Sequence, residues 1–187
     1  MGRQAFIMMV FFMCLTGIVY PIFVTGVSQI IFPHKANGSW VKSGEKIIGS
    51  PLIGQKFVQE KYFWPRPSMS DYQAMPSLAS NYPPISTSLK ELLASRKSMF
   101  GPVPVPAEML FASASGLDPH VSVAAIELQI RRVAFARKLN QDSILKLRQL
   151  IEQHTEKSTF SFLGQKRVNV FMLNHSLHSL DSVKEKI

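Results

Sequence analysis

Apolar and polar positions divide this chain into one long uninterrupted apolar run and a remainder in which short apolar groups alternate with polar ones. From Ala5 to Phe32 there is no Asp, Glu, Lys, Arg or His, and Pro33 follows at once. A helix rises about 1.5 Å per residue, so about 20 apolar residues cross a hydrocarbon core of about 30 Å. The run exceeds that length, which predicts a short tail over 1–6, a transmembrane helix and its extension over 7–32, and a single soluble domain over 33–187. The sequence HKANGSW then reads as a polar turn, because Asn37-Gly38 tolerates positive φ. Its glycosylation sequon is read as part of that turn.

Beyond the turn, IIGSPLIGQKF, YFWPRPS and SLASNYPP are broken repeatedly by Gly, Pro and Ser, which predicts short strands and ordered loops between 47 and 84. STSLKELLASRKSMFG reads as a helix with Leu89, Leu92 and Leu93 on its buried side, capping-box spacing at Ser88 and Glu91, and Gly101 as terminator. Prolines 102, 104 and 106 make a stiff connector. Ser122 to Lys138 puts Ile126, Ile130, Val133 and Ala134 on one stripe, and Asn140 to His154 does the same with Ile144, Leu147 and Ile151, giving two amphipathic helices. Val168, Val170 and Met172 alternate with Asn169 and Phe171, the pattern of a strand. The fold class predicted is α+β: one N-terminal transmembrane helix followed by one mixed α/β soluble domain.

A cleaved signal peptide competes with the anchor, since Arg3 precedes the run and Gly26-Val27-Ser28 offers small residues. Signal cores are about 7–15 residues, and this run continues through Ile30, Ile31 and Phe32, which favours an uncleaved anchor. Within it Thr16-Gly17 recurs as Thr25-Gly26, with Tyr20-Pro21 between. These types let a partner helix approach closely, although Gly and Pro are also common in membrane helices generally. Charge alone leaves the side of the membrane open: Lys35, Lys42 and Lys46 follow the helix, but long domains translocate largely regardless of charge. The net charge is +9, yet no long basic run or nucleic-acid motif accompanies it, so a solvated basic surface is the reading and nucleic acid is not an expected partner. Cys14 is the one cysteine, which excludes an intramolecular disulfide.

The segment LFASASGLDPHVS gathers reactive residue types. A hydrolase would take Ser113 or Ser115 as nucleophile, His120 as base and Asp118 as orienter. No Gly-x-Ser-x-Gly elbow is present, and Pro119 should make the Asp118 and His120 side chains diverge. A turn explains each residue instead, with Gly116 closing a preceding helix and Ser122 or Asp118 capping the next. No catalytic residue is therefore expected in this chain, and a membrane-anchored or secreted serine hydrolase is the alternative. His175 and His178 stand i, i+3 without a spaced third ligand, so no metal site is expected. No phosphate-binding loop is found. YFWPRPS combines Tyr62, Phe63, Trp64 and Arg66 between prolines, and reads equally as an interface hot spot or as an aromatic flap of the core pinned by an arginine.

Taken in order, LTGIVYPIFVTGVSQIIFP, ANGS, GSPLIGQKF, YFWPRPS, ASASGLDPHVS, RRVAFAR, IEQHT and FLGQKRVNVFMLN resemble the KdpC family, the C subunits of bacterial Kdp potassium-transporting ATPases, from about Leu15 to Leu177. There are departures: the family's usual Gln-Val-Pro-Arg-Val-Ala is Gln129-Ile130-Arg131-Arg132-Val133-Ala134 here, and Gly-Glu-Pro-Arg-Val-Asn is Gly164-Gln165-Lys166-Arg167-Val168-Asn169. The resemblance implies an accessory subunit of an ATP-driven, high-affinity potassium importer. Its implied partners are a channel-like subunit, a P-type ATPase subunit and membrane lipid. It also implies that no cofactor is held by this chain alone, ATP and potassium belonging to the complex, and that the subunit assembles the pump and raises the ATP affinity of the ATPase subunit. The implied location is the bacterial inner membrane, single-pass, with the soluble domain on the outer, periplasmic side. Leu52-Ile53-Gly54-Gln55 faintly echoes a transporter signature loop. Membrane contacts are expected at Thr16, Gly17, Tyr20, Pro21, Thr25 and Gly26, and soluble-domain contacts at Tyr62, Phe63, Arg66, Asp118 and His120.

Overall fold

A computed structural model of the protein describes residues 2–160 and 162–184, with the side chains of the last helix as far as His178. Residue 1 of the expected tail and residues 185–187 of the expected soluble domain lie outside the described residues. The chain forms two compact units, residues 1–50 and 51–187. The soluble segment read from Pro33 onward is thus shared between them.

In the first unit, α1 (Gly2–Cys14), a π-helical turn (Leu15–Val19) and α2 (Tyr20–Ile31) make one apolar helix of 30 residues, long enough to cross a membrane. Helix begins at Gly2, inside the stretch read as a tail, because Arg3 and Gln4 are good helix formers with no breaker after them. The π turn has a local cause. Pro21 has no amide hydrogen and its ring crowds the carbonyl four residues back. The helix widens instead, the Tyr20 amide donating to the Leu15 carbonyl five residues back, while the Thr16 hydroxyl donates to the Phe12 carbonyl at 2.7 Å.

The helix ends at Phe32, and Pro33 opens the short α3 (Pro33–Ala36). Asn37 fastens this exit: its Nδ2 donates to the Pro33 carbonyl at 2.7 Å and to Gln29 Oε1 at 3.0 Å. The turn expected at Asn37-Gly38 forms with Gly38 at φ +89 and Ser39 at φ +53. A hairpin of β1 (Val41–Ser43) and β2 (Lys46–Gly49) follows, bulged between Val41 and Lys42.

The second unit is built around α6 (Val123–Ala136), α7 (Gln141–Gln153), α8 (Val170–Lys184) and a small antiparallel sheet ordered β3 (His120–Ser122), β5 (Arg167–Asn169), β4 (Thr155–Glu156). In its core Phe63, Val121, Ala125, Ile126, Val133, Val168 and Leu173 are at most 1 % exposed. Each large side chain of this set contributes about 1.5–3 kcal/mol by leaving water. The predicted stripes are the buried ones, Ile126, Ile130, Val133 and Ala134 on α6 and Leu147 and Ile151 on α7, except that Ile144 at the start of the α7 stripe is half-buried. Ser122 and Asn140 cap these helices, accepting from the Ala125 and Ser143 amides at 3.2 and 2.9 Å. A cap of this kind contributes about 1 kcal/mol.

Four local expectations are corrected. Helix α4 (Thr87–Ser98) is capped by Ser86, which accepts from the Leu89 amide, not through Ser88 and Glu91. Of the short strands expected between 47 and 84, β2 forms at its start, through Gly49, and from Pro51 to Pro84 the described residues are ordered loop without strand or helix, since prolines and polar side chains claim the backbone groups a ladder would need. Gly116 sits at φ +71 in a turn closed by its amide on the Ser113 carbonyl, well after the short α5 (Ala107–Leu110) has ended. The alternation predicted through Met172 stops at Asn169, whose Oδ1 accepts from the Met172 amide at 3.1 Å and starts α8. A capping side chain here outweighs a period-2 pattern.

Candidate functional site

Along the membrane helix Thr16, Gly17, Tyr20, Pro21, Thr25 and Gly26 are all solvent-accessible in the isolated chain. A Cβ at Gly17 or Gly26 would meet nothing within 4 Å. Thr16 and Gly17 fall inside the π turn and Pro21 lies two residues beyond it, so this first small pair and the backbone irregularity coincide, while Thr25 and Gly26 stand in regular helix.

In the soluble domain, the aromatic segment YFWPRPS is a flap of the core. Phe63 is 0 % exposed, so it shapes the face from beneath and presents no surface to a partner. Two carboxamides hold the flap by its main chain. Asn174 Oδ1 accepts from the Phe63 amide and its Nδ2 donates to the Phe63 carbonyl, both at 2.9 Å. Gln129 Oε1 accepts from the Trp64 amide at 2.8 Å, and its Nε2 donates to the Trp64 carbonyl at 3.2 Å. Both side chains are nearly inaccessible, at 2 % and 1 %. The pinning arginine is Arg132: its guanidinium lies 3.6 Å from the centre of the Trp64 ring and donates to the Glu60 and Tyr62 carbonyls and to Gln129 Oε1. Burial lowers the Arg132 pKa to about 10, partly opposed by the Glu60 charge. Tyr62 lies half-buried, its ring under Lys61 and Arg137.

Arg66 turns the other way, toward LFASASGLDPHVS. Its Nη1 donates to Asp118 Oδ2 at 2.8 Å, with the two side chains 27 % and 31 % exposed. Asp118 Oδ1 accepts from the His120 amide at 3.0 Å and lies 4.0 Å from His120 Nδ1, so the two side chains stay together instead of diverging. The Asp118 carboxylate bridges its own turn and so folds His120 back. His120 Nε2 continues to Glu156 Oε1 at 3.4 Å, and Glu156 Oε2 accepts from Arg167 Nε at 2.8 Å. Desolvation tends to raise the Glu156 pKa, but the hydrogen bond and charge of Arg167 and the nearby His120 hold it below the usual carboxylate range. The result is a row of alternating basic and acidic side chains, Arg66–Asp118–His120–Glu156–Arg167, running from the loop across β3, β5 and β4. Charges in such a partly exposed row steer and select a partner more than they stabilise the fold.

Beside it lies an open cleft of about 580 Å³ lined by Leu52, Ile53, Arg66, Ser113, Ser115 and Asp118. Next to Ile53 of this lining the two loops meet in a close backbone contact, the Gly54 amide donating to the Leu117 carbonyl at 2.7 Å. That contact is the role the structure gives the Leu52-Ile53-Gly54-Gln55 loop. The serines here do not meet a base: Ser113 is buried and Ser115 Oγ accepts from the Leu117 amide at 3.1 Å, while His120 is engaged with carboxylates. The nucleophile–base–acid order of a hydrolase is not assembled. His175 stacks on Phe171 and His178 approaches the Tyr62 hydroxyl, and no group of three His, Cys, Asp or Glu side chains among the described residues could hold a metal.

Gln129, Asn174, Arg132, Glu156 and Arg167 were not singled out as site residues from the sequence. A signal existed for the first two, since a carboxamide inside an apolar helical stripe must find buried partners. For Glu156 and Arg167 none did, because they meet only through β4–β5 pairing.

The family model described as "KdpC: K+-transporting ATPase, c chain" matches residues 2–179. The chain is 42 % identical over 189 residues to the potassium-transporting ATPase KdpC subunit of Serratia proteamaculans (strain 568), covering 95 % of this chain and 97 % of that protein. It is 40 % identical over 190 residues to the KdpC subunit of Herpetosiphon aurantiacus, with 97 % of each chain covered. With the subunit of Leptospira interrogans it shares 44 % over 170 residues, 88 % of this chain and 86 % of that one. A match that runs from the apolar helix through the flap, the charge row and α8 leaves one assignment: this chain belongs to the KdpC family of potassium-transporting ATPase subunits.

Proposed function

We propose that this chain is an accessory subunit of an ATP-driven potassium uptake pump, anchored in the bacterial inner membrane with its soluble domain on the outer side. The observation that carries this reading is the family match over residues 2–179. Its companions are a channel-like subunit and a P-type ATPase subunit, with lipid around the helix. ATP and potassium are handled by those companions, and this chain holds no cofactor of its own. Its work is to assemble and stabilise the complex, and through that to raise the affinity of the ATPase subunit for ATP.

The geometry agrees with such a part. In the membrane, Thr16, Gly17, Tyr20, Pro21, Thr25 and Gly26 make the contact. In the domain, Tyr62, Arg66, Asp118 and His120 line the face offered to the channel-like subunit, with Phe63 supporting it from below. The reactive side chains of LFASASGLDPHVS are committed to turn and ion-pair contacts, which suits a binding surface better than a catalytic one. Replacing Gly17 and Gly26 together with leucine should cut recovery of the companion subunits from detergent extracts several-fold. Arg66→Gln should raise the KM for ATP of the assembled pump while leaving the subunits together. Undiminished recovery of the Gly17/Gly26 variant would overturn the membrane contact; an unchanged KM would remove the ATP-affinity role from this face.

A further inference from the structure

The π turn and Pro21 together take away the ordinary helical donors of the Thr16 and Gly17 carbonyls, at a depth where the bilayer offers none. The Thr16 carbonyl would ordinarily accept from the Tyr20 amide, but that amide is spent on the Leu15 carbonyl. The donor five residues on would be Pro21, which has no amide hydrogen. The Gly17 carbonyl loses its usual donor to the same proline. Thr16 stands near the middle of the helix Gly2–Ile31, about 20 Å from either end at the ordinary helical rise. Headgroups and bulk water do not reach that depth, and an unsatisfied backbone group in hydrocarbon is costly. The approach is clear, since a Cβ at Gly17 would meet nothing within 4 Å.

We propose that the Thr16–Gly17 carbonyls are the acceptor site for a hydrogen-bond donor side chain on a membrane helix of a companion subunit, such as a serine, threonine, asparagine or glutamine seated against Gly17. This rests on the pump-subunit reading and names the chemistry of its membrane contact. A second copy of this chain fits less well. Two such helices crossing at Gly17 bring carbonyl against carbonyl, and the hydroxyl at that level, on Thr16, is already given to the Phe12 carbonyl at 2.7 Å. The thiol of Cys14 is only a weak donor.

The sequence allows a direct test. Thr-Gly pairs occur only at Thr16-Gly17 and Thr25-Gly26, so carbonyl-13C threonine with amide-15N glycine reports two sites by solid-state NMR, the second an internal reference in regular helix. In the full chain alone in bilayers, the Thr16 carbonyl should resonate upfield of Thr25; in the assembled pump it should move downfield toward it. Pro21→Ala supplies the missing amide and should abolish the difference in both samples, with a several-fold loss of co-purified companions. The proposal is overturned if the Thr16 signal is the same in both samples. A signal following the protein-to-lipid ratio of the chain alone would assign the donor to a second copy, and sensitivity to exchange into heavy water would assign it to water; either overturns it. Should the Gly17/Gly26 leucine variant release the companions while the carbonyl stays unmoved, the membrane contact stands and this acceptor role falls.

Discussion

Asn174→Leu isolates what holds the aromatic flap in place. Leucine has the branched heavy-atom skeleton of asparagine, with two bulkier methyl ends, and the site is only 2 % exposed, so the change removes two hydrogen bonds without opening a cavity. What remains is the Phe63 amide and carbonyl, each formerly paired at 2.9 Å, inside a core where Phe63 is 0 % exposed. A buried backbone group left unpaired costs about 1–3 kcal/mol, so the pair costs about 4 kcal/mol. Burying an apolar side chain in place of a carboxamide returns about 1 kcal/mol, leaving a net loss of about 3 kcal/mol. For a chain of this size about 2–4 °C accompanies each kcal/mol, so the soluble domain should melt about 10 °C lower. Thermal unfolding of the full chain in neutral detergent, followed by tryptophan fluorescence because Trp64 adjoins the clamp, is the assay. Asn174→Asp keeps the acceptor for the Phe63 amide but sets an oxygen against its carbonyl, and should also destabilise. A midpoint for Asn174→Leu within about 3 °C of the parent would refute the clamp, since that corresponds to about 1 kcal/mol.

Two further outcomes follow from the same domain. Burial raises the Tyr72 pKa from 10.0 to about 12, with Arg96 opposing and Asp71 adding, while its hydroxyl donates to the Arg66 carbonyl at 2.8 Å; a folded value above the unfolded one means stability complete below pH 10 and lost as pH climbs toward 12, by about 2–3 kcal/mol. In urea titrations Tyr72→Phe should therefore cost about 1 kcal/mol near neutrality and flatten the alkaline decline, whereas a parallel decline would show that Tyr72 does not cause it. Gly54→Ala would set a Cβ 2.8 Å from the Asp118 carbonyl oxygen and 3.2 Å from its carbon, both backbone atoms. A forced backbone shift of this kind costs about 1–3 kcal/mol, visible as an earlier urea midpoint, and parental stability would refute the close packing of the two loops.

The membrane helix, the stripes of α6 and α7 and a cap at one of Asp118 and Ser122 were legible in the sequence because each depends on neighbours within a few residues. An uncharged run of sufficient length needs no tertiary information to be read as a span, and a 3.6-residue period states which side a helix buries. The family resemblance was legible for a related reason, as an ordered series of short motifs. Where local signals competed, the sequence misled: Val168, Val170 and Met172 alternate like a strand, yet the Asn169 side chain claims the Met172 amide and a helix begins.

The site belongs mostly to the other category. That Phe63 is core and Tyr62 half-buried, that Arg132 and not Arg66 pins the flap, and that Arg66 instead joins Asp118 were decided by chain segments 52 to 111 residues apart meeting. A linear pattern specifies residue type and period, but the pairing of polar groups is set by desolvation. Once Phe63 is drawn into the core, its amide and carbonyl require partners, and only the packed structure brings Asn174 to supply them.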